Sequence, residues 1–151
     1  MASLTSFPHA GSGITTLILK IFEANGQLLA AGDRLVAPLG LTSARWQVLG
    51  AIDAGSEQLS VADLARRLHV SRQAVQRITN ELVDAKLLTF ADNPRHKRSP
   101  LVRFTGRGRT VYEEALALQR PWAEALAAGL APEQIEAAIE TLEQLLKQID
   151  D

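Results

Sequence analysis

A mainly α-helical chain carrying one small antiparallel β-hairpin is the fold class this sequence predicts, and three observations predict it. Apolar residues recur at alternating three- and four-residue steps through most of the 151 positions, which is the helical period. Two short runs rich in Leu, Val, Thr and Phe, 87–91 and 101–105, flank the proline-containing stretch DNPRHKRSP at 92–100, as two strands flank a loop. Two helical patterns are separated only by Leu68, His69, Val70 and Ser71, a joint too short for anything but a tight turn between packed helices.

Composition limits what such a chain can be. With 46% apolar and 22% charged residues it can bury a core, as one domain or as a small domain with an appended helical part. It has no cysteine, which excludes disulfide scaffolds, thiolate metal sites, cysteine nucleophiles and thiol redox sensing together. The apolar run 14–22 is broken by Lys20, has no basic flank before it and is too short to span a bilayer, so a soluble, cytoplasmic protein is expected. The formal net charge is −1, yet residues 60–110 hold eleven basic side chains against Asp63, Glu81, Asp84 and Asp92. A basic working surface on an acidic body points to a polyanion partner.

In order, residues 1–12 mix Ser, Pro and Gly without a period and predict a loose arm. Ile14, Leu17, Ile18, Ile21, Phe22, Leu28, Leu29, Leu35 and Val36 fall on the stripe of a long helix that must end before Pro38. After a connector, 38–41, Thr42 is suited to cap a second helix with Trp46, Leu49 and Ile52 inward, closed by the segment 53–57. Ser60, followed three positions later by Asp63, is a capping-box variant opening a third helix with Leu64, Ala65 and Leu68 buried. His69 suits the left-handed turn residue of the joint. Ser71 caps the next helix, 71–88, in which Ala74, Val75, Ile78, Leu82 and Ala85 form the buried stripe, with Ala65 and Val70 meeting it across the joint. Thr105 is placed to cap a fifth helix with Val111, Tyr112, Ala115, Leu116 and Leu118 apolar. A bend is expected near Arg120, before Pro121. Ala131-Pro132 starts a last helix with the stripe Ile135, Ile139, Leu142, Leu146 and Ile149.

The third and fourth helices with their short joint form a helix-turn-helix, whose second helix has its N-terminal half free to enter a major groove. Its outward side carries Arg72, Gln73, Gln76, Arg77 and Asn80, with Ser71 at its start, amides and guanidinium groups whose donors and acceptors fit purine edges and phosphates. Arg95, Lys97 and Arg98 in the hairpin tip have no acidic partner nearby in sequence and are placed to reach phosphates and a minor groove.

This order of elements, with GLTSARWQVLGAI at 40–52, LSVADLARRLHVSRQAVQRITNELVDAKLL at 59–88 and LVRFTGRGR at 101–109, resembles the MarR family of bacterial transcription regulators across nearly the whole chain. The resemblance implies a winged helix-turn-helix with a helical dimerisation region. It also implies a wing whose tip arginine, matched by Arg95, enters the minor groove. Asn93 and His96 stand where the family carries aspartates, which makes the tip more basic and leaves the orienting ion pair without its acid. Three parts follow: an arm and dimerisation helix at 1–37, a DNA-binding domain at 38–105, and C-terminal dimerisation helices at 106–151.

The first and last helices would expose long apolar stripes in a monomer, and family members bury such stripes by intertwining two subunits, so a homodimer is expected. The function expected is that of a sequence-specific, ligand-responsive repressor on a near-palindromic operator. The resemblance implies a small aromatic or phenolic effector in a cleft, with Phe22, Arg45 and Trp46 as its candidate contacts; the alternative is that Phe22 and Trp46 are ordinary core. No cofactor is expected, and His9, His69 and His96, in arm, turn and wing, make neither a metal site nor a catalytic constellation. The rival class is a winged helix used only for protein contacts, which would be favoured by an apolar or acidic outward face on the fourth helix.

Overall fold

The structure, a computed structural model, describes residues 9–150. Among them lie six α-helices and two strands: α1 (His9–Val36), α2 (Ser43–Ala54), α3 (Val61–Leu68), α4 (Arg72–Asp84), β1 (Leu88–Ala91), β2 (Leu101–Phe104), α5 (Gly106–Ala127) and α6 (Pro132–Asp150). None of these helices is long and apolar enough to cross a membrane. Helix α1 is described from His9, so residues 9–12, expected in the loose arm, are helical; the rest of the expected arm lies outside the described residues. The chain divides into two compact units, the first reaching to Ala115 and the second starting at Leu116, within α5.

Local chemistry starts and stops each element of the first unit. After α1 a 3-10 turn (Ala37–Leu39) leads to Gly40 at φ 72°, a left-handed residue that costs glycine little. Thr42, Ser60 and Ser71 cap α2, α3 and α4, each accepting a backbone N–H of the first turn, and Asp63 returns the favour to Ser60 in a full capping box. His69 takes φ 53° and ψ 41°, so the joint turns through the left-handed region without glycine. Helix α4 stops sooner than its pattern suggests, because Lys86 adopts φ 64° and Leu87 N–H closes on the Leu82 carbonyl at 2.9 Å.

The core of this unit gathers Val36, Val48, Leu49, Ile52, Leu64, Val75, Ile78, Leu82, Leu88 and Val102. Two expected core positions are corrected. Val70 is 49% exposed, since the turn that lets α3 and α4 pack carries its side chain outward. Ala85 is exposed as the residue that caps α4, and Thr79 is buried on that helix in its stead, its hydroxyl without a hydrogen-bond partner among the described residues. Trp46 and Leu68 are only partly buried, packed against the core from its edge.

β1 and β2 pair antiparallel with Leu88 opposite Phe104 and Ala91 opposite Leu101. Val102 N–H also donates to the Leu59 carbonyl at 2.9 Å, and Ser60, just before α3, forms an isolated antiparallel bridge with Leu101, a third edge to the hairpin. The hairpin is locked to α5 at Thr105, whose hydroxyl donates to the Lys86 carbonyl at 2.6 Å and accepts Gly108 N–H at 2.9 Å. A Cβ on Gly108 would overlap the Leu87 carbonyl, which gives the Thr-x-x-Gly spacing a steric cause.

α5 continues through Pro121 as one helix, so the proline does not divide it. In the second unit, Pro132 opens α6 at its first position and Gln134 accepts Ala131 N–H at 2.9 Å. α6 has no buried residue.

Candidate nucleic-acid interface

Helix α4 places its outward residues as the helical period requires. Arg72, Gln73, Gln76, Arg77, Asn80, Glu81 and Asp84 line one open groove along its surface. Ser71, at the start of the helix, is not among them, and its hydroxyl is engaged in capping, accepting Ala74 N–H at 3.1 Å. Gln76 donates one amide hydrogen to the Asn80 side-chain oxygen at 2.9 Å. The second amide hydrogen and the carbonyl oxygen of Gln76 remain to offer a paired donor and acceptor. Arg77 bonds Glu81 at 3.0 Å one turn on, whereas Arg72 makes no ion pair among the described residues.

The hairpin brings one further cation, Arg98, to the same side. Arg72 and Gln76 of α4 share a small cavity with Ser60, Val61 and Ala62 at the start of α3 and with Phe90, Arg98, Ser99 and Pro100 of the hairpin. Arg98 thus joins the helix residues; Lys97 does not, lining a separate hollow with Asp92, Asn93 and Pro94. Arg95, Lys97 and Arg98 are exposed and, among the described residues, none is ion-paired.

Asn93 organises this tip. It is buried, its side-chain oxygen accepts Arg95 N–H at 3.1 Å, and its amide donates to the Ser99 carbonyl at 2.8 Å. The backbone at Arg95 is therefore set by an asparagine turn where an ion pair was the alternative. An aspartate could make the first of these bonds but not the second, having no hydrogen to give when ionised.

Not all of the sequence's basic cluster is free of acidic partners within the chain. Arg66 pairs with Asp63. Arg109 binds Asp53 at 2.6 Å and Glu57 at 2.9 Å while lying 4.2 Å from the centre of the Phe104 ring, which makes it a clasp between α2, the following loop and β2. Asp63 is held below the usual carboxylate range by the Ser60 backbone N–H foremost, with burial opposing and Arg66 assisting. Glu81 is likewise held low, first by its bond from Arg45 and then, against some desolvation, by Arg77. No group of three or more His, Cys, Asp or Glu side chains that would hold a metal ion occurs among the described residues.

The candidate effector residues lie apart. Arg45 donates Nε and Nη2 to Glu81 Oε2 at 3.2 and 3.0 Å and Nη1 to the Gly40 carbonyl at 3.2 Å. Trp46 beside it packs on the core edge. Phe22 is 69% exposed, and so is no core residue of the chain. The α2 start docks on α1 at Leu29 and Asp33 through Ser43, which leaves Phe22 about 10 Å further along α1 at the helical rise. Sequence reasoning missed Glu81: its bond to Arg77 follows the i, i+4 rule and was legible, but its bond to Arg45 spans 36 residues.

Residues 39–99 match the sequence model of the MarR family. An uncharacterised protein of Mycobacterium tuberculosis is 35% identical over 133 residues, 88% of this chain and 92% of that protein. The transcriptional activatory protein BadR of Rhodopseudomonas palustris is 32% identical over 138 residues, 89% of this chain and 77% of that protein. Among solved structures, a mutant MarR from Escherichia coli complexed with operator DNA superposes with a TM-score of 0.74 at 26% identity, covering 91% of this chain and 95% of that one. The regulator BldR of Sulfolobus solfataricus gives 0.81 at 20% identity over 94% and 99% of the two chains, a likeness of fold.

Proposed function

This chain belongs to the MarR family of DNA-binding transcription regulators, which are not enzymes, and on that premise we propose that it binds a near-palindromic operator as a homodimer. The observation that carries the proposal is the shared lining of α4 and the hairpin: Arg72 and Gln76 face the same hollow as Arg98, so reading groups and phosphate-holding groups occupy one surface. Ser71, Arg72, Gln73, Gln76, Arg77 and Asn80 are the proposed major-groove residues, Arg95 the minor-groove residue, and Lys97 and Arg98 the phosphate contacts. The rival, a winged helix used only for protein contacts, would be favoured by an apolar or acidic outward face, whereas α4 turns amides and guanidinium groups outward.

The homodimer is supported by apolar side chains that the chain leaves uncovered: Ile14, Leu19, Phe22 and Leu28 on α1, and Ile139, Leu142, Leu146 and Ile149 on α6. Two-fold pairing of such helices would space two α4 helices for half-sites about one DNA turn apart. Repression is the proposed output, by an operator overlapping a promoter; BadR carries an activator's name, so operator position sets the sign. For the proposed response to a small aromatic or phenolic acid, Arg45 and Trp46 are the adjacent pair, with Phe22 as the α1 aromatic nearest in sequence to that junction. A carboxylate beside Trp46 would compete with Glu81 for Arg45, and so bias α4.

A gel shift against the genomic fragment upstream of the protein's own gene tests the DNA reading. A shift that scrambled competitor does not abolish is expected, and no shift at any protein concentration would favour a protein-contact module. Thermal unfolding against a panel of aromatic acids and their thioesters tests the effector. Stabilisation that is lost in Arg45→Met is expected, and stabilisation that survives it would move the ligand elsewhere.

A further inference from the structure

Glu81 lies in the α4 groove among groups proposed to meet DNA, yet it carries the charge that DNA repels. Its two carboxylate oxygens are divided between guanidinium groups from different elements: Oε1 accepts from Arg77 at 3.0 Å, and Oε2 accepts from Arg45 of α2 at 3.2 and 3.0 Å. Arg45 is anchored in turn on the Gly40 carbonyl at 3.2 Å, in the connector that follows α1. Glu81 and Arg45 are about one-third exposed, whereas Arg77 is 66% exposed.

This arrangement restrains Arg77 without consuming it. A guanidinium has five N–H donors in a planar fork, and one bond from Nη1 leaves the Nη2 and Nε hydrogens to be given elsewhere. The side chain keeps a face to present but loses the freedom to swing toward whichever phosphate is near. Arg45, bound through two of its nitrogens, keeps the Glu81 carboxylate in place.

We propose that Glu81 is a specificity-determining positioning residue, which holds Arg77 as a reader of operator bases and withholds it from phosphates, with Arg45 as its anchor. This deepens the DNA-binding function proposed above and rests on it.

The test is Glu81→Gln in the full chain. Binding is titrated with salt on a duplex that wild-type protein has selected from a random-sequence pool, and on a scrambled duplex. The ratio of the two affinities should fall about tenfold, the size of one well-oriented base contact. The dependence of log K on log salt on scrambled DNA should steepen by about one unit per subunit as Arg77 turns to phosphate. In an Arg77→Met background, Glu81→Gln should change neither quantity further. Arg45→Met, which leaves the acid but removes its anchor, should lower the ratio by a smaller factor, and it provides the comparison should Glu81→Gln fail to fold. An unchanged ratio in both variants, an equal loss on both duplexes, or a further loss in the Arg77→Met background would overturn the proposal. If wild-type protein selects no sequence at all, the DNA-binding function itself fails; if wild type discriminates and the variants discriminate equally, only the role of Glu81 fails.

Discussion

Helices α4 and α6 are both amphipathic, and they treat their apolar stripes in opposite ways. α4 buries Val75, Ile78, Thr79 and Leu82 against its own chain, while α6 buries nothing. The first helix lies in a unit whose every joint is closed by a cap, a left-handed turn or a ring of side-chain bonds. The second offers Ile139, Leu142, Leu146 and Ile149 to whatever covers them. Under the homodimer proposal, the difference separates two tasks a small regulator must perform. A DNA-reading surface needs rigid placement, which one chain can provide from its own core, whereas an assembly surface has to leave hydrophobic area unspent until a second copy arrives.

The largest effect expected on this contrast is from truncation before Ala131. It removes the α6 stripe, and under the homodimer proposal it uncovers whatever that stripe meets, so the truncated chain should aggregate or precipitate in size-exclusion chromatography. A soluble, folded monomer would break the comparison. Next comes one substitution made in each region. Leu82→Ala, at a position 1% exposed, should lower unfolding stability by about 3 kcal/mol at any protein concentration. Leu146→Ala, at a position 60% exposed, should instead shift the dimer–monomer equilibrium and change stability only in a concentration-dependent way. Denaturant unfolding at two protein concentrations distinguishes them.

Smaller effects sharpen the rigid half. Asn93→Asp removes the donor to the Ser99 carbonyl and adds a negative charge to the hairpin tip. It should weaken DNA binding about threefold to tenfold, as one charge-linked contact does, with little change in melting temperature. A variant that binds as wild type would show that the tip does not depend on the amide. The smallest concerns Asp63, whose carboxyl is held in the folded chain below its ordinary value. A depressed folded value means that its contribution is complete at neutral pH, and that it is lost as pH falls through the carboxylate range toward the folded value. The stability gap between wild type and Asp63→Asn should accordingly be level near neutrality and close in acid. A gap independent of pH would assign the effect to packing.

Local chemistry was what the sequence made legible. Thr42, Ser60, Ser71 and Thr105 cap as their positions suggest, and His69 takes the left-handed turn, because each depends on neighbours within a few residues. Helical wheels misled where the backbone departs from the helix: at Val70, which the turn carries outward, and at Ala85, where Lys86 has already left the helical region. The pairing of Leu59 with Val102, the clasp of Arg109 on Asp53 and Glu57, and the bond from Arg45 to Glu81 join residues that only the folded topology brings together. The clasp also changes the meaning of the charge count, since Arg109 is held by two acids of its own chain. The outward set on α4 was visible as a pattern, and the bond from Gln76 to Asn80 follows the same i, i+4 rule as that from Arg77 to Glu81.

The most direct test of the DNA-reading account compares Gln76→Ala with Lys97→Ala in salt titrations on a selected operator duplex and its scrambled counterpart. Gln76, in the α4 groove, should specify: its loss should reduce the operator-to-scrambled affinity ratio about tenfold with little change in salt dependence. Lys97, in the separate hairpin hollow, should hold: its loss should weaken both duplexes alike and lower the slope of log K against log salt by about one unit per contact. An affinity ratio left intact by Gln76→Ala, with the slope altered in its place, would contradict the assignment of α4 as the surface that reads sequence.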